Sequence, residues 1–128
     1  MKVAFDNTEL ARLPESPQIQ GDVIAINTKV DNLDIRITLT VAALQDGSLQ
    51  IDLISATAEG LNPFGLVRTK AESTIIAALS TYGDAGMNNG TVNFKFKELP
   101  SGGQWNFIGA SINGVNVSFE LEFVSGLS

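Results

Sequence analysis

"NPFGLVRTKAESTIIAALSTYG", residues 62–83, is the one stretch of this sequence spaced as a long helix. Phe64, Val67, Ala71, Ile75, Ala78, Leu79 and Tyr82 fall within roughly a third of the circumference at about 3.6 residues per turn. Asn62 suits the N-cap, Pro63 the first helical position and Gly83 the close. Arg68 lies at the edge of the stripe, one turn before Glu72, where an i,i+4 ion pair is within reach. What the stripe covers depends on its neighbours, and those read as strands.

Upstream, residues 33–43 alternate strictly. Leu33, Ile35, Ile37, Leu39, Val41 and Ala43 point one way, and Asp34, Arg36, Thr38 and Thr40 the other. Such alternation marks a strand with one buried and one wet face. Residues 22–30 precede it as a strand with Ile24, Ile26 and Val30 on one side. Leu49, Ile51 and Leu53 follow it, and cross-strand partners must share a face. A three-residue loop, Gln45-Asp46-Gly47 with Gly47 left-handed, meets that condition by pairing Ala43 with Leu49, Val41 with Ile51 and Leu39 with Leu53. Downstream, residues 84–90 read as a loop, and residues 91–97 set Val92, Phe94 and Phe96 against Asn93, Lys95 and Lys97. Asn113-Gly114 is a hairpin signal, and a two-residue turn there pairs Ile112 with Val115, Ala110 with Val117 and Ile108 with Phe119. At the other end, Asn7 or Thr8 is placed to cap a short helix before Pro14, and residues 14–21 read as a turn-rich connector.

These elements predict a single α+β domain over residues 1–128. Its core is a strongly curled antiparallel sheet of about six or seven strands wrapped around one long α-helix, with a short N-terminal helix besides. Each large side chain in the stripe contributes about 1.5–3 kcal/mol on burial, so a charge at Ile75 is expected to abolish folding.

Composition narrows the function. The chain of 128 residues has a net charge of −6 and neither cysteine nor histidine. An acidic surface repels phosphate backbones, so nucleic acid is not an expected partner. Without cysteine or histidine there is no thiolate nucleophile, no imidazole base and none of the usual zinc ligands. No run approaches the ~20 apolar residues of a membrane-spanning helix, and the N-terminal residues lack the apolar core of a leader.

Catalytic groupings are equally sparse. Asp34 and Asp52 share the polar face of one hairpin, and Glu120 and Glu122 that of another. Solvated carboxylates there keep ordinary proton affinity and serve as surface charge. The lysines occupy surface positions, poor places for activating a serine. Residues 84–90 hold oxygen donors without the spacing of a calcium loop, and Ser101-Gly102-Gly103 matches no phosphate-binding loop. The expectation is therefore a non-enzyme with no metal and no cofactor. In the Asn-Gly register, however, Trp105 and Phe107 fall on the nominally wet face, opposite Glu122 and Glu120. Either they form a contact site for self-association or docking, or a bulge near Gly109 returns them to the core, or lysine stems cover them.

The order of elements, with the phrases "VAFDNTELARL", "DGSLQIDL", "GLNPF" and "LPSGGQWNFIGASINGVNVSFELEF", resembles the bacterial tubular lipid-binding (TULIP-like) envelope proteins of the LmeA type. The resemblance implies a coiled sheet around a long helix, enclosing a channel for acyl chains. It implies a lining of Leu39, Val41, Ile51, Leu53, Phe64, Val67, Ile75, Leu79, Phe94, Phe96, Phe119 and Leu121, with Arg68 at the rim to steer a polar headgroup. The same residues would serve a plain core. Function is therefore expected to be binding of a lipid or other apolar small molecule; the alternative is a structural module that self-associates around Trp105 and Phe107 as a homo-oligomer. The compartment follows the resemblance, the bacterial envelope, if Met1 replaces a removed leader, and is otherwise the cytoplasm.

Overall fold

A computed structural model of the chain describes residues 1–58 and 66–126. Their elements are β1 (Lys2–Asp6), α1 (Asn7–Leu10), β2 (Gln18–Gln20), β3 (Val23–Val30), β4 (Leu33–Ala43), β5 (Leu49–Ala58), α2 (Leu66–Leu79), β6 (Gly83–Asn88), β7 (Thr91–Phe96), β8 (Gln104–Ile112) and β9 (Asn116–Val124). The strands form a six-stranded sheet, β2-β3-β4-β5-β7-β6, and a three-stranded sheet, β1-β9-β8. All pairings are antiparallel.

This overturns the predicted α+β class. The protein is mostly β, 57% strand against 14% helix, and neither sheet is closed or strongly curled. The reason is a pairing across almost the whole chain: β1 joins β9, with Val3 opposite Phe119 and Phe5 opposite Val117. The C-terminal hairpin thereby gains a third strand and becomes a sheet of its own instead of extending the large one. Its apolar side and α2 together cover the apolar face of the large sheet, so no strand has to wrap the helix. One hydrophobic cluster runs through all three layers, from Ile35, Ile37 and Leu53 through Val67 and Ala71 to Phe107, Val117 and Leu121.

Local chemistry explains most of the elements. The β4–β5 hairpin takes the predicted register, with Gly47 left-handed at φ +87° and Leu39 opposite Leu53. Beyond Leu53 a bulge leaves Ile54 unpaired, so Ala56 and Ala58, rather than Ser55 and Thr57, share a face with Ile37 and Ile35. The β3–β4 turn puts both Asp31 and Asn32 at positive φ, the geometry of a type I′ turn. Asp6, and not Asn7 or Thr8, caps α1: the Glu9 N–H donates to its carboxylate at 2.9 Å, and Glu9 returns an acceptor to the Asp6 N–H.

The helix departs most from expectation. It ends at Leu79, and Gly83 opens β6 instead of closing the helix. A Cβ on Gly83 would lie 2.2 Å from the Lys95 carbonyl oxygen, so the close approach of β6 to β7 requires glycine. Val67 and Ala71 are buried, Ile75 and Leu79 are half-buried, and Ala78 and Tyr82 are exposed. The expected caps Asn62 and Pro63, and Phe64, lie outside the described residues.

Candidate functional site

The residues expected to line a lipid channel do come together, but against one another. Leu39, Ile51, Leu53, Val67, Phe94 and Leu121 are buried, and Val41, Ile75, Leu79, Phe96 and Phe119 pack around them half-buried. At the centre, Phe96 stacks on Phe107 with ring centres 5.3 Å apart, and Phe94 and Phe119 meet Phe107 edge-on at 6.2 and 5.9 Å. Such geometry belongs to a packed interior. Four clefts among the described residues are open surface grooves of about 360 to 560 Å³, and of the expected lining only Phe119 borders one. The wrapped-helix architecture is therefore corrected to a core packed between two sheets and a helix.

Arg68 has structural work to do. β7 pairs with β5 only over Leu49–Ile51, so among the described residues the β5 backbone past that point has no strand on that side. Arg68 Nη1 donates to the Leu53 carbonyl at 2.8 Å, and its Nε lies 3.7 Å from Glu72, the i,i+4 partner foreseen in the sequence. The guanidinium closes an otherwise open stretch of strand, rather than standing free at a rim.

Trp105 and Phe107 are placed by a bulge. In the β8–β9 turn the Asn113 N–H donates to the Asn116 carbonyl at 2.9 Å, and the Asn113 side chain accepts from the N–H groups of Val115 and Asn116. Ile112 therefore faces Val117, not Val115. Asn113 and Gly114 stay out of the left-handed region that a type I′ turn needs, which is why the two-residue register fails. A shift of two keeps Ala110 and Ile112 on the inner face. The bulge at Ile108 then turns Phe107 inward, opposite Leu121. Phe107 belongs to the core, and Trp105 is half-buried against Phe123.

The polar faces offer little organised chemistry. In the β4–β5 turn, Ser48 donates both N–H and hydroxyl to Asp46, and with Lys95 nearby this holds the Asp46 carboxyl below its ordinary value. The Asn106 Oδ1 is buried without a partner beside Gly47. Among the described residues, no group of three or more acidic side chains is arranged to hold a metal ion. No helix among them is long and apolar enough to cross a membrane.

What remains distinctive is how the sheet edges are finished. Unpaired edge backbone is a template for another strand, and proteins usually guard it. At the β2 edge the Asn7 side chain occupies both backbone groups of Ile19, accepting from its N–H at 2.7 Å and donating to its carbonyl at 3.5 Å. The β8 edge is bulged, and its Phe107 N–H donates to the Gly47 carbonyl at 2.9 Å. The β1 edge carries Lys2 and runs directly into α1. Apart from the single charge of Asp84, the β6 edge has none of these devices. Its six residues pair with β7 without a bulge, contain no lysine or proline, and among the described residues find no backbone partner on the outer side. Met87 on it is 48% exposed. Residues 84–90 are therefore not the loop expected from the sequence: Asn89-Gly90, both at positive φ, is the type I′ signal that makes β6 and β7 a hairpin.

No protein-family model, curated protein or solved structure matches the chain.

Proposed function

We propose that this chain is a non-enzymatic structural module that self-associates by adding a strand at the β6 edge of its large sheet. The observation that carries this reading is the contrast among edges: β2, β8 and the open part of β5 are occupied by Asn7, Gly47 and Arg68, whereas among the described residues nothing occupies β6. An added strand exchanges water for backbone hydrogen bonds, each worth about 0.5–1.5 kcal/mol net. Several such bonds, with burial of Met87, are the attraction that a strand added at this edge supplies. The contact thus moves from the face around Trp105 and Phe107, where Phe107 is committed to the core, to a backbone edge.

Sedimentation velocity over a wide concentration range tests the reading. The wild-type chain is expected to gain mass with concentration, and Gly86→Lys is expected to remain a monomer. Gly86 has an ordinary φ and open space where its Cβ would stand, so the lysine guards the edge without disturbing the fold. A wild-type chain that stays monomeric throughout contradicts the proposal.

A further inference from the structure

The bare edge also specifies its partner. Resting on the self-association reading, we infer that the added strand is β6 of a second copy, antiparallel, with Gly86 opposite Gly86 on a two-fold axis normal to the sheet. Two six-stranded sheets then become one of twelve strands, with both α2 helices on the same side.

The register follows from the faces of β6. Gly83, Ala85 and Met87 lie opposite Phe96, Phe94 and Val92 of β7, on the apolar side, while Asp84, Gly86 and Asn88 face outward opposite Lys95, Asn93 and Thr91. A two-fold normal to the sheet keeps inner faces together, so a residue of one face must stand on the axis. Centring on Asp84 sets two carboxylates against each other and is rejected. Centring on Met87 leaves only Gly86, Met87 and Asn88 within the paired strands. Centring on Ala85 wastes Met87 on Gly83 and leaves Asp84 opposite glycine.

Centring on Gly86 resolves each of these conflicts. Ala85 of each copy meets Met87 of the other on the apolar side, and Asp84 meets Asn88, an acceptor against an amide donor, on the polar side. The axis itself carries no side chain. Asp84 already stands beside Lys95 in its own sheet, so the joined edge brings no like charges face to face, despite a net charge of −6 per chain. The Asn89-Gly90 turn ends the strand just beyond Asn88, fixing how far the two copies can slide.

Because the chain contains no cysteine, single thiols report the register directly. Directly opposed residues of paired strands have Cβ atoms about 4.5–5.5 Å apart, within disulfide reach. Gly86→Cys, Ala85→Cys, Met87→Cys and, as a control on the small sheet, Ser111→Cys would be oxidised mildly in parallel and run without reductant. Gly86→Cys is expected to yield a reducible dimer well ahead of the other three. Equal or faster cross-linking of Ala85→Cys, Met87→Cys or Ser111→Cys overturns the pairing. If the wild type gains mass in sedimentation yet position 86 shows no preference, this register is wrong and self-association stands. If the wild type stays monomeric, both fail.

Discussion

Phe107 shows how much one residue of extra backbone decides. Strict alternation from the β8–β9 turn puts it on the wet face; the bulge at Ile108 puts it between Phe94, Phe96 and Phe119. Nothing in the side-chain pattern marks the bulge except Gly109 beside it. A buried phenylalanine truncated to alanine loses about 3–5 kcal/mol. Phe107→Ala is expected to lower the unfolding free energy obtained from urea titration by that order while leaving any residual folded protein able to associate. A loss below 1 kcal/mol, on the order of a surface substitution, would place the ring outside the core. Arg68 was the opposite case, since its Glu72 partner was legible at helical spacing. Its bond to the Leu53 carbonyl was not, because it depends on where β7 stops pairing with β5.

Among the elements, those closed by a local rule were legible. The β4–β5 hairpin followed from face matching and a glycine that can be left-handed, and the structure has that register. The β6–β7 hairpin obeyed an equally local rule and was missed, because a glycine-rich strand with one apolar edge side chain has no alternation to read. β2 was missed because three residues are too few for periodicity; what holds it is Asn7, twelve positions away. Helix α2 was foreseen as a helix but misjudged as an anchor. Its buried contacts are concentrated at Val67 and Ala71, at 1% and 0% exposure, while Ile75 stands half-buried. Val67→Asp is therefore expected to cost on the order of 3–5 kcal/mol, the penalty of an unpaired buried charge. Ile75→Glu should cost nearer to about 1 kcal/mol, since its carboxylate can reach water and only part of the burial is lost. Thermal denaturation of the two variants measures the difference. Equal losses, or unfolding by Ile75→Glu, would place Ile75 as deep in the core as Val67.

For the whole molecule, the decisive contact was the least legible one. The pairing of β1 with β9 joins residues separated by nearly the full chain and splits the strands into two sheets. Local patterning carries no trace of such a choice, because a second sheet and a wrapped helix bury the same side chains. The candidate site was hidden for a related reason: it is made of backbone that lacks a partner, and a sequence shows side chains. Amide hydrogen exchange across β6 at increasing protein concentration gives the most direct test. The edge amides of Ala85 and Met87 should exchange freely in dilute solution and become protected as the protein is concentrated, while the Ile19 amide of β2, guarded by Asn7, stays unchanged. Exchange across β6 that does not depend on concentration would contradict the claim that this edge is where the molecule meets its copy.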